Sequence, residues 1–174
     1  MDDEFARSAV GIAGCCDRIL EHRGTPAWTE ETNPAALAAA LKGATLTLQD
    51  GLKASAREGN PISGKFEIED NAFQLSVYTS KGDEVMEVVV DPKTGAIAKA
   101  EKITEADDLK EAAGQKSAMA KAATSLLDAA DAAVKANPGY RAVSIYPQLQ
   151  NGNPVAAVTL LRGTTFKKVM EKLG

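Results

Sequence analysis

The chain has few of the residues on which catalytic sites depend. Its 174 residues include one histidine, two cysteines and one tryptophan, and aromatic residues make up 5% of the total. Only His22 could act as a base near neutral pH without a large pKa shift. The sequence contains no P-loop, no Rossmann fingerprint and no CxxC motif. These absences predict a protein that is not an enzyme and that uses no cofactor.

Two further classes of function are disfavoured by what is missing. The net charge of −4 provides no excess of the lysine and arginine that a phosphate backbone requires, and three tyrosines and one tryptophan offer little for base stacking. No apolar run approaches the roughly 18 residues of a membrane span. The chain begins with three acidic residues after Met1, unlike the basic start of a signal peptide. We therefore predict neither nucleic-acid binding nor a membrane span.

The two cysteines, Cys15 and Cys16, are adjacent. A disulfide places its Cα atoms about 5.5 Å apart, whereas a trans peptide holds neighbours near 3.8 Å, so these two are not expected to pair with each other. No other soft ligand follows them closely, which favours a structural or incidental role. They lie in residues 1–29, an N-terminal extension whose apolar residues at helical spacing indicate a short helix.

The charged residues are unevenly distributed along the chain. Residues 64–108 contain 11 acidic and 5 basic residues, a net charge of −6, whereas residues 135–174 contain 1 acidic and 6 basic residues, a net charge of +5. Solvated surface is the ordinary explanation of such runs. Two oppositely charged regions can also attract each other or bind different partners.

The order of predicted elements is helix, meander, helix, meander. Apolar residues spaced by three or four from Leu37 to Leu52 predict one long helix over residues 34–57, begun by Asn33 and Pro34. Alternating residues then predict strands around residues 66–68, 73–77, 85–91 and 97–103, with turns at Asn71-Ala72 and at residues 81–83. Residues 104–114 are predicted to form a short linker helix that Gly114 ends. A second long helix is predicted over residues 115–136.

Strands return after the second helix, over residues 142–149, 155–161 and 166–173, with an Asn151-Gly152 hairpin turn. Residues 81–103 align without a gap to residues 151–173, with Gly82 opposite Gly152 and Val88 opposite Val158. The alignment and the repeated order of elements predict an internal duplication. The expected fold is α+β, a tandem α-βββ repeat with units over residues 30–103 and 115–174, each a long helix on an antiparallel meander.

One stretch of the first unit resembles a known family. Residues 88–97, Val-Val-Val-Asp-Pro-Lys-Thr-Gly-Ala-Ile, look like the signature of the PepSY domain, an apolar strand followed by Asp-x-x-Thr-Gly. Physically this motif specifies a turn, in which Gly95 takes a positive φ and the Asp91 carboxylate accepts the backbone N–H of Lys93 or Thr94. The second unit departs from the motif, with Leu-Arg-Gly-Thr-Thr at residues 161–165.

The resemblance implies a function and a location. The chain as a whole is similar to small exported bacterial proteins with two tandem PepSY-like units. Such units are generally thought to bind or restrain other proteins, which implies a non-enzymatic protein-binding module of the envelope, with a peptidase-inhibitory or chaperone-like role. The protein partner is not identified. The implied location is periplasmic or extracellular, with the signal peptide absent from this chain.

Cation binding is the alternative function that the sequence leaves open. Acidic residues crowd onto the first meander, and hard cations such as calcium take six to eight oxygen ligands. Glu67 and Glu69 share a strand face. The candidate ligands are Glu67, Glu69, Asp83, Glu87 and Asp91. Their spacing is not that of an EF-hand, and carboxylates on an exposed sheet face also occur without any ion.

Overall fold

A computed structural model describes residues 33–174 of the chain. These residues form an α+β fold, as predicted, and the extension with Cys15, Cys16 and His22 lies outside them. The helices are α1 (Pro34–Leu41), α2 (Leu48–Ser55), α3 (Ala106–Met119) and α4 (Leu126–Ala136). The strands are β1 (Asn60–Glu69), β2 (Ala72–Lys81), β3 (Glu84–Val90), β4 (Ile97–Lys102), β5 (Arg141–Gln150), β6 (Asn153–Arg162) and β7 (Thr165–Lys172).

The seven described strands form one antiparallel sheet in the order β4-β3-β2-β1-β5-β6-β7. Consecutive strands pair within residues 60–102 and again within residues 141–172. The two runs join where β1 pairs with β5, with Gly64 opposite Ile145. The predicted antiparallel meanders are confirmed, although the first contributes four strands and the second three.

Helices cover both faces of this sheet. The main core lies on one face, where buried residues of α1, α2 and α4 pack against strand residues such as Leu75, Val77 and Val88. On the other face, Ala112 of α3 packs with Ile62, Tyr78, Val85 and Ile103. Tyr78 follows Val77, and because successive strand side chains alternate in direction, the two clusters lie on opposite faces. The fold is therefore a sheet between two helical layers.

The prediction of one helix over residues 34–57 is wrong, because α1 and α2 are separate helices. Asn33 does cap α1, as expected, and its side chain accepts the backbone N–H of Ala35 at 3.0 Å. A second cap follows at Thr47, whose hydroxyl oxygen accepts the backbone N–H of Asp50 at 3.1 Å. The Asp50 carboxylate accepts the backbone N–H of Thr47 in return, at 3.3 Å. This capping box starts a new helix.

Tertiary hydrogen bonds hold the break between α1 and α2. The guanidinium of Arg141, on β5, donates to the backbone oxygen of Leu41 at 3.0 Å and to that of Leu46 at 2.7 Å. The backbone N–H of Leu46 donates to the oxygen of Pro92 at 3.0 Å. These partners satisfy backbone groups of Leu41 and Leu46 that a continuous helix would have paired internally.

The prediction of a long helix over residues 115–136, after a linker helix over 104–114, is also wrong. Helix α3 runs through Gly114 to Met119, because an exposed glycine in a helix costs only about 1 kcal/mol relative to alanine. The chain then breaks before α4, where the Ser125 hydroxyl oxygen accepts the backbone N–H of Asp128 at 3.1 Å. The backbone N–H groups of Ala123 and Thr124 both donate to the oxygen of Leu173, at 2.6 and 2.9 Å.

Within each meander, the strands are joined by tight turns, as predicted, but one turn lies one residue earlier than predicted. The first hairpin turns at Asp70 and Asn71, with φ of 48° and 62°, rather than at Asn71-Ala72. Ala72 already belongs to β2. At the Asn151-Gly152 turn both φ angles are positive, 51° and 81°, as the hairpin signal predicted.

Candidate functional site

Three of the five candidate cation ligands come together on the face of the sheet that carries α3. Glu67 and Glu69 alternate on β1 with buried Phe66, and Glu87 projects from β3, two strands away. One carboxylate oxygen from each lies within 4.8 Å of the others. The three form a carboxylate cluster of Glu67, Glu69 and Glu87.

Neighbouring side chains already occupy part of this carboxylate cluster. Lys65 forms an ion pair with Glu67, and the two side chains are only 13% and 12% exposed. The amide of Gln74 donates to Glu69 at 2.8 Å. The hydroxyl of Tyr78 donates to Glu87 at 3.3 Å. Each bond reduces the negative charge or the number of lone pairs that an incoming cation could use.

Burial and charge act together on Glu87. Burial raises the pKa of this carboxyl above its ordinary value, and the nearby carboxylates of Glu69 and Glu67 raise it further. A hydrogen bond from Ser76 opposes the shift. Burial also raises the pKa of Tyr78, with Glu87 as the next cause. The carboxylate cluster is therefore under mutual repulsion, which a cation or a proton would relieve.

The other two candidate ligands lie elsewhere. Asp83 is exposed in the turn between β2 and β3, outside the carboxylate cluster. Asp91 is engaged in its own turn, where one carboxylate oxygen accepts the backbone N–H of Lys93 at 2.9 Å and that of Thr94 at 2.7 Å. These bonds, with that of Thr94 first, lower the pKa of Asp91. Gly95 has a φ of 73°, so the turn is built as its motif predicted.

A second feature, which the sequence did not predict, is an open groove of about 560 Å³ at one end of the sheet. The chain crosses here from one helical layer to the other, between α3 and α4. Apolar and small side chains form most of the wall, and polar or charged side chains contribute the rest. The lining residues are Leu52, Lys53, Ala56, Asn60, Pro61, Ile62, Ser80, Lys116, Met119, Ala120, Ser125, Leu126 and Leu127.

The charge of the groove is of one sign. Lys53, in the last turn of α2, and Lys116, near the end of α3, are the charged residues among the described lining, which includes no carboxylate. The ammonium of Lys116 donates to the backbone oxygen of Gly82 at 2.8 Å. The groove thus combines an apolar floor with a cationic rim, in a chain whose net charge is negative.

The sequence contains local signals for the helix breaks near this groove. Ser125 is followed three residues later by Asp128, and Thr47 by Asp50, which is the spacing of a helix-capping pair. Either pair would have divided a predicted long helix into two. The break before Ser125 exposes the ends of α3 and α4, and those ends form one side of the groove.

Comparison with known proteins adds little to this geometry. No protein-family model matches the chain, and no curated protein does. Among solved structures, the chain is similar to a presumed lipoprotein from Clostridium difficile 630, at 14% identity and a TM-score of 0.38, over 70% of this chain and 80% of that one. An identity and a TM-score this low do not extend that protein's properties to this chain.

Within residues 33–174, no helix is both long enough and apolar enough to cross a membrane.

Proposed function

We propose that this chain is a non-enzymatic protein-binding module of the bacterial envelope, built from two PepSY-like halves. The observation that carries the proposal is the open apolar groove between α2, α3 and α4. Pockets for small ligands are concave and mostly apolar, with a few polar groups at defined positions, and measure about 300–1,000 Å³. A groove of this kind accepts an apolar side chain of a partner polypeptide, which suits a peptidase-inhibitory or chaperone-like role.

Two features support the PepSY-like halves. The Asp91 turn has the hydrogen bonds and the positive φ at Gly95 that its motif requires. Gly82 and Gly152, which the internal alignment places opposite each other, both occupy hairpin turns with positive φ. In the sheet, β2-β3-β4 extends from one side of β1 and β5-β6-β7 from the other. This arrangement is expected if the two three-strand meanders are copies of each other.

The test is a comparison of variants that fill the groove with one that does not. Ala56→Phe and Ala120→Phe place a ring on exposed lining positions, whereas Ala113→Phe places the same ring on an exposed part of α3 outside the groove. Proteins captured from a bacterial envelope extract are identified by mass spectrometry, purified and tested for direct binding. We expect the first two variants to lose the partner and the third to retain it, with or without chelator. Equal binding by all three would rule out the groove.

Cation binding at the carboxylate cluster is a second candidate function. The specific observation is that Glu67, Glu69 and Glu87 place oxygens within 4.8 Å of one another. A ligand present at about 100 times its Kd stabilises the fold by about 2.7 kcal/mol, or roughly 5–10 °C in Tm for a chain of this size. The ion pair between Lys65 and Glu67 weighs against this function.

Cation binding at the carboxylate cluster is tested by measuring Tm with and without calcium. Glu69→Gln combined with Glu87→Gln should abolish any calcium-dependent rise in Tm, while Asp83→Asn, outside the carboxylate cluster, should leave it intact. No rise in Tm for the wild type at millimolar calcium would eliminate this candidate. The outcome is independent of the groove, because the two sites share no residue.

A further inference from the structure

We propose that the partner segment held in the groove carries an apolar side chain directly flanked by aspartate or glutamate. This inference rests on the proposed function and specifies the chemistry of its partner. It follows from the separation of the groove into an apolar floor and a cationic rim.

The floor requires an apolar anchor on the partner. Leu52, Ile62 and Leu126 are almost fully buried where they line the groove, and Met119 and Leu127 are half-buried beside them. Covering the surface that Met119 and Leu127 leave exposed removes apolar area from water, which stabilises a complex. A polar side chain placed against Met119 and Leu127 would lose its water without gaining a hydrogen bond from them.

The rim requires negative charge beside that anchor. Lys53 and Lys116 approach the groove from two different helices, α2 and α3. Lys116 uses one of its three N–H donors on Gly82, which leaves donors for a carboxylate. Asp50, one turn before Lys53, is bonded to Thr47 within the capping box, and this bonding and, as the smallest cause, the charge of Lys53 lower the pKa of Asp50. A basic segment would place its ammonium groups beside like charge, which disfavours that partner.

The remaining polar lining favours a polypeptide over an acyl chain. Asn60, at the start of β1, and Ser80, near the end of β2, are polar residues of the wall. A peptide backbone has N–H and C=O groups to pair with them, whereas a hydrocarbon chain would leave them unsatisfied. A fatty acid shares the apolar and carboxylate chemistry, so it serves as the rival ligand in the test.

Fluorescence polarisation on the full chain tests this with three matched peptides. The first has a central Leu-Leu pair flanked by glutamates, the second has glutamines in place of the glutamates, and the third has serines in place of the leucines. We expect the glutamine peptide to bind about ten-fold more weakly than the glutamate peptide, and the serine peptide not to bind. Laurate should not displace the glutamate peptide.

Lysine variants show whether the charge effect arises in the groove. Lys53→Gln should reduce the preference for glutamate over glutamine, as should Lys116→Gln, while Lys110→Gln, on α3 but outside the groove, should not. Lys53 is exposed, so its variant is expected to fold even if loss of the Lys116 bond to Gly82 proves disruptive. A preference that survives in both groove variants would overturn the inference.

The outcomes separate this inference from the function on which it rests. If the glutamate and glutamine peptides bind equally and Ala120→Phe blocks both, the acidic flank is wrong but the groove still binds polypeptide. If laurate displaces the peptide at concentrations below the peptide's Kd, the groove is an acyl site and the inference fails. If no peptide binds while a captured partner is still lost in Ala120→Phe, the partner presents something other than a linear acidic segment, and the inference again fails.

Discussion

Replacing Gly51 with alanine should destabilise the protein even though alanine is the better helix former. Gly51 lies within α2, and a Cβ built on it would come 2.1 Å from Cδ2 and 3.1 Å from Cγ of Leu75. Leu75 is fully buried in the main core, so its side chain has little room to move. Overpacking of this kind costs about 1–3 kcal/mol, against a helix-propensity gain of about 1 kcal/mol. We expect a net loss of up to about 2 kcal/mol.

Gly114 provides the matched control for this substitution. It lies within α3, and a Cβ built on it would meet no atom within 4 Å. Gly114→Ala should therefore stabilise the fold by about 0.4–1 kcal/mol. Urea unfolding of the two variants measures the contrast directly, and in thermal unfolding each kcal/mol corresponds to about 2–4 °C for a chain of this length.

A double-mutant cycle identifies the cause of the loss. Leu75→Val alone should cost about 0.5–1.5 kcal/mol, as a buried methylene group generally does. Combined with Gly51→Ala, it should cost less than the sum of the two, because the shorter side chain relieves the contact. If Gly51→Ala stabilised the protein as much as Gly114→Ala does, the close approach of α2 to the sheet would be refuted.

Three other perturbations test separate parts of the structure. Leu126→Ala should cost about 2–5 kcal/mol in urea unfolding, because Leu126 is 3% exposed in the main core; a loss below about 0.5 kcal/mol would contradict its burial. The lowered pKa of Asp91 means that its carboxylate contributes stability above its ordinary pKa of 3.8, and that this stability is lost as pH falls through the folded-state pKa. Asp91→Asn should therefore flatten the acid side of the Tm profile, and an unchanged profile would show that the turn bonds favour neither protonation state. The raised pKa of Glu87 has the opposite sign, so stability should fall as pH rises above the ordinary value of 4.5 and through the folded-state pKa. Glu87→Gln should remove that fall, and a Tm profile that keeps it would assign the effect to another group.

The strands could be predicted because their signal is local. In β2, half-buried Phe73 and buried Leu75 and Val77 alternate with Gln74 and Ser76, and this period of two is visible in a few residues. Ser76 is nevertheless buried, because neighbouring elements cover parts of the second face as well. The alternation therefore located the strand but not the extent to which each face is covered.

The helices were harder to predict, because one long helix and two shorter helices fit the same apolar pattern. Spacings of three and four from Leu37 to Leu52 continue across the break, so periodicity alone favours one helix. Across the break, Arg141, about 100 residues away in sequence, bonds to the backbone oxygens of Leu41 and Leu46. A contact at that separation has no signature in the local sequence, although the Thr47 and Asp50 pair marked the start of α2.

Some features of the candidate sites could likewise be predicted from local sequence, and others required the tertiary structure. Alternation alone placed Glu67 and Glu69 on one face, and the turn motif alone predicted the bonds of Asp91. The approach of Glu87 required the pairing register, which sets it opposite Tyr78 on β2. The groove could not be predicted from periodicity, because its wall comes from α2, β1, β2, α3 and α4, which are brought together only when the sheet forms.

By itself, the sequence determined the α+β class, the approximate positions of the strands and most of the turns between them, including those with positive φ at Gly95 and Gly152. These depend on side-chain periodicity and on backbone conformations that few residues adopt, both of which act over a few neighbouring positions. Local capping pairs marked where α2 and α4 start, but only the tertiary structure decided which carboxylates meet and where a groove opens. Those outcomes depend on contacts between segments distant in the chain, whose free energies exceed the small local preferences that they override.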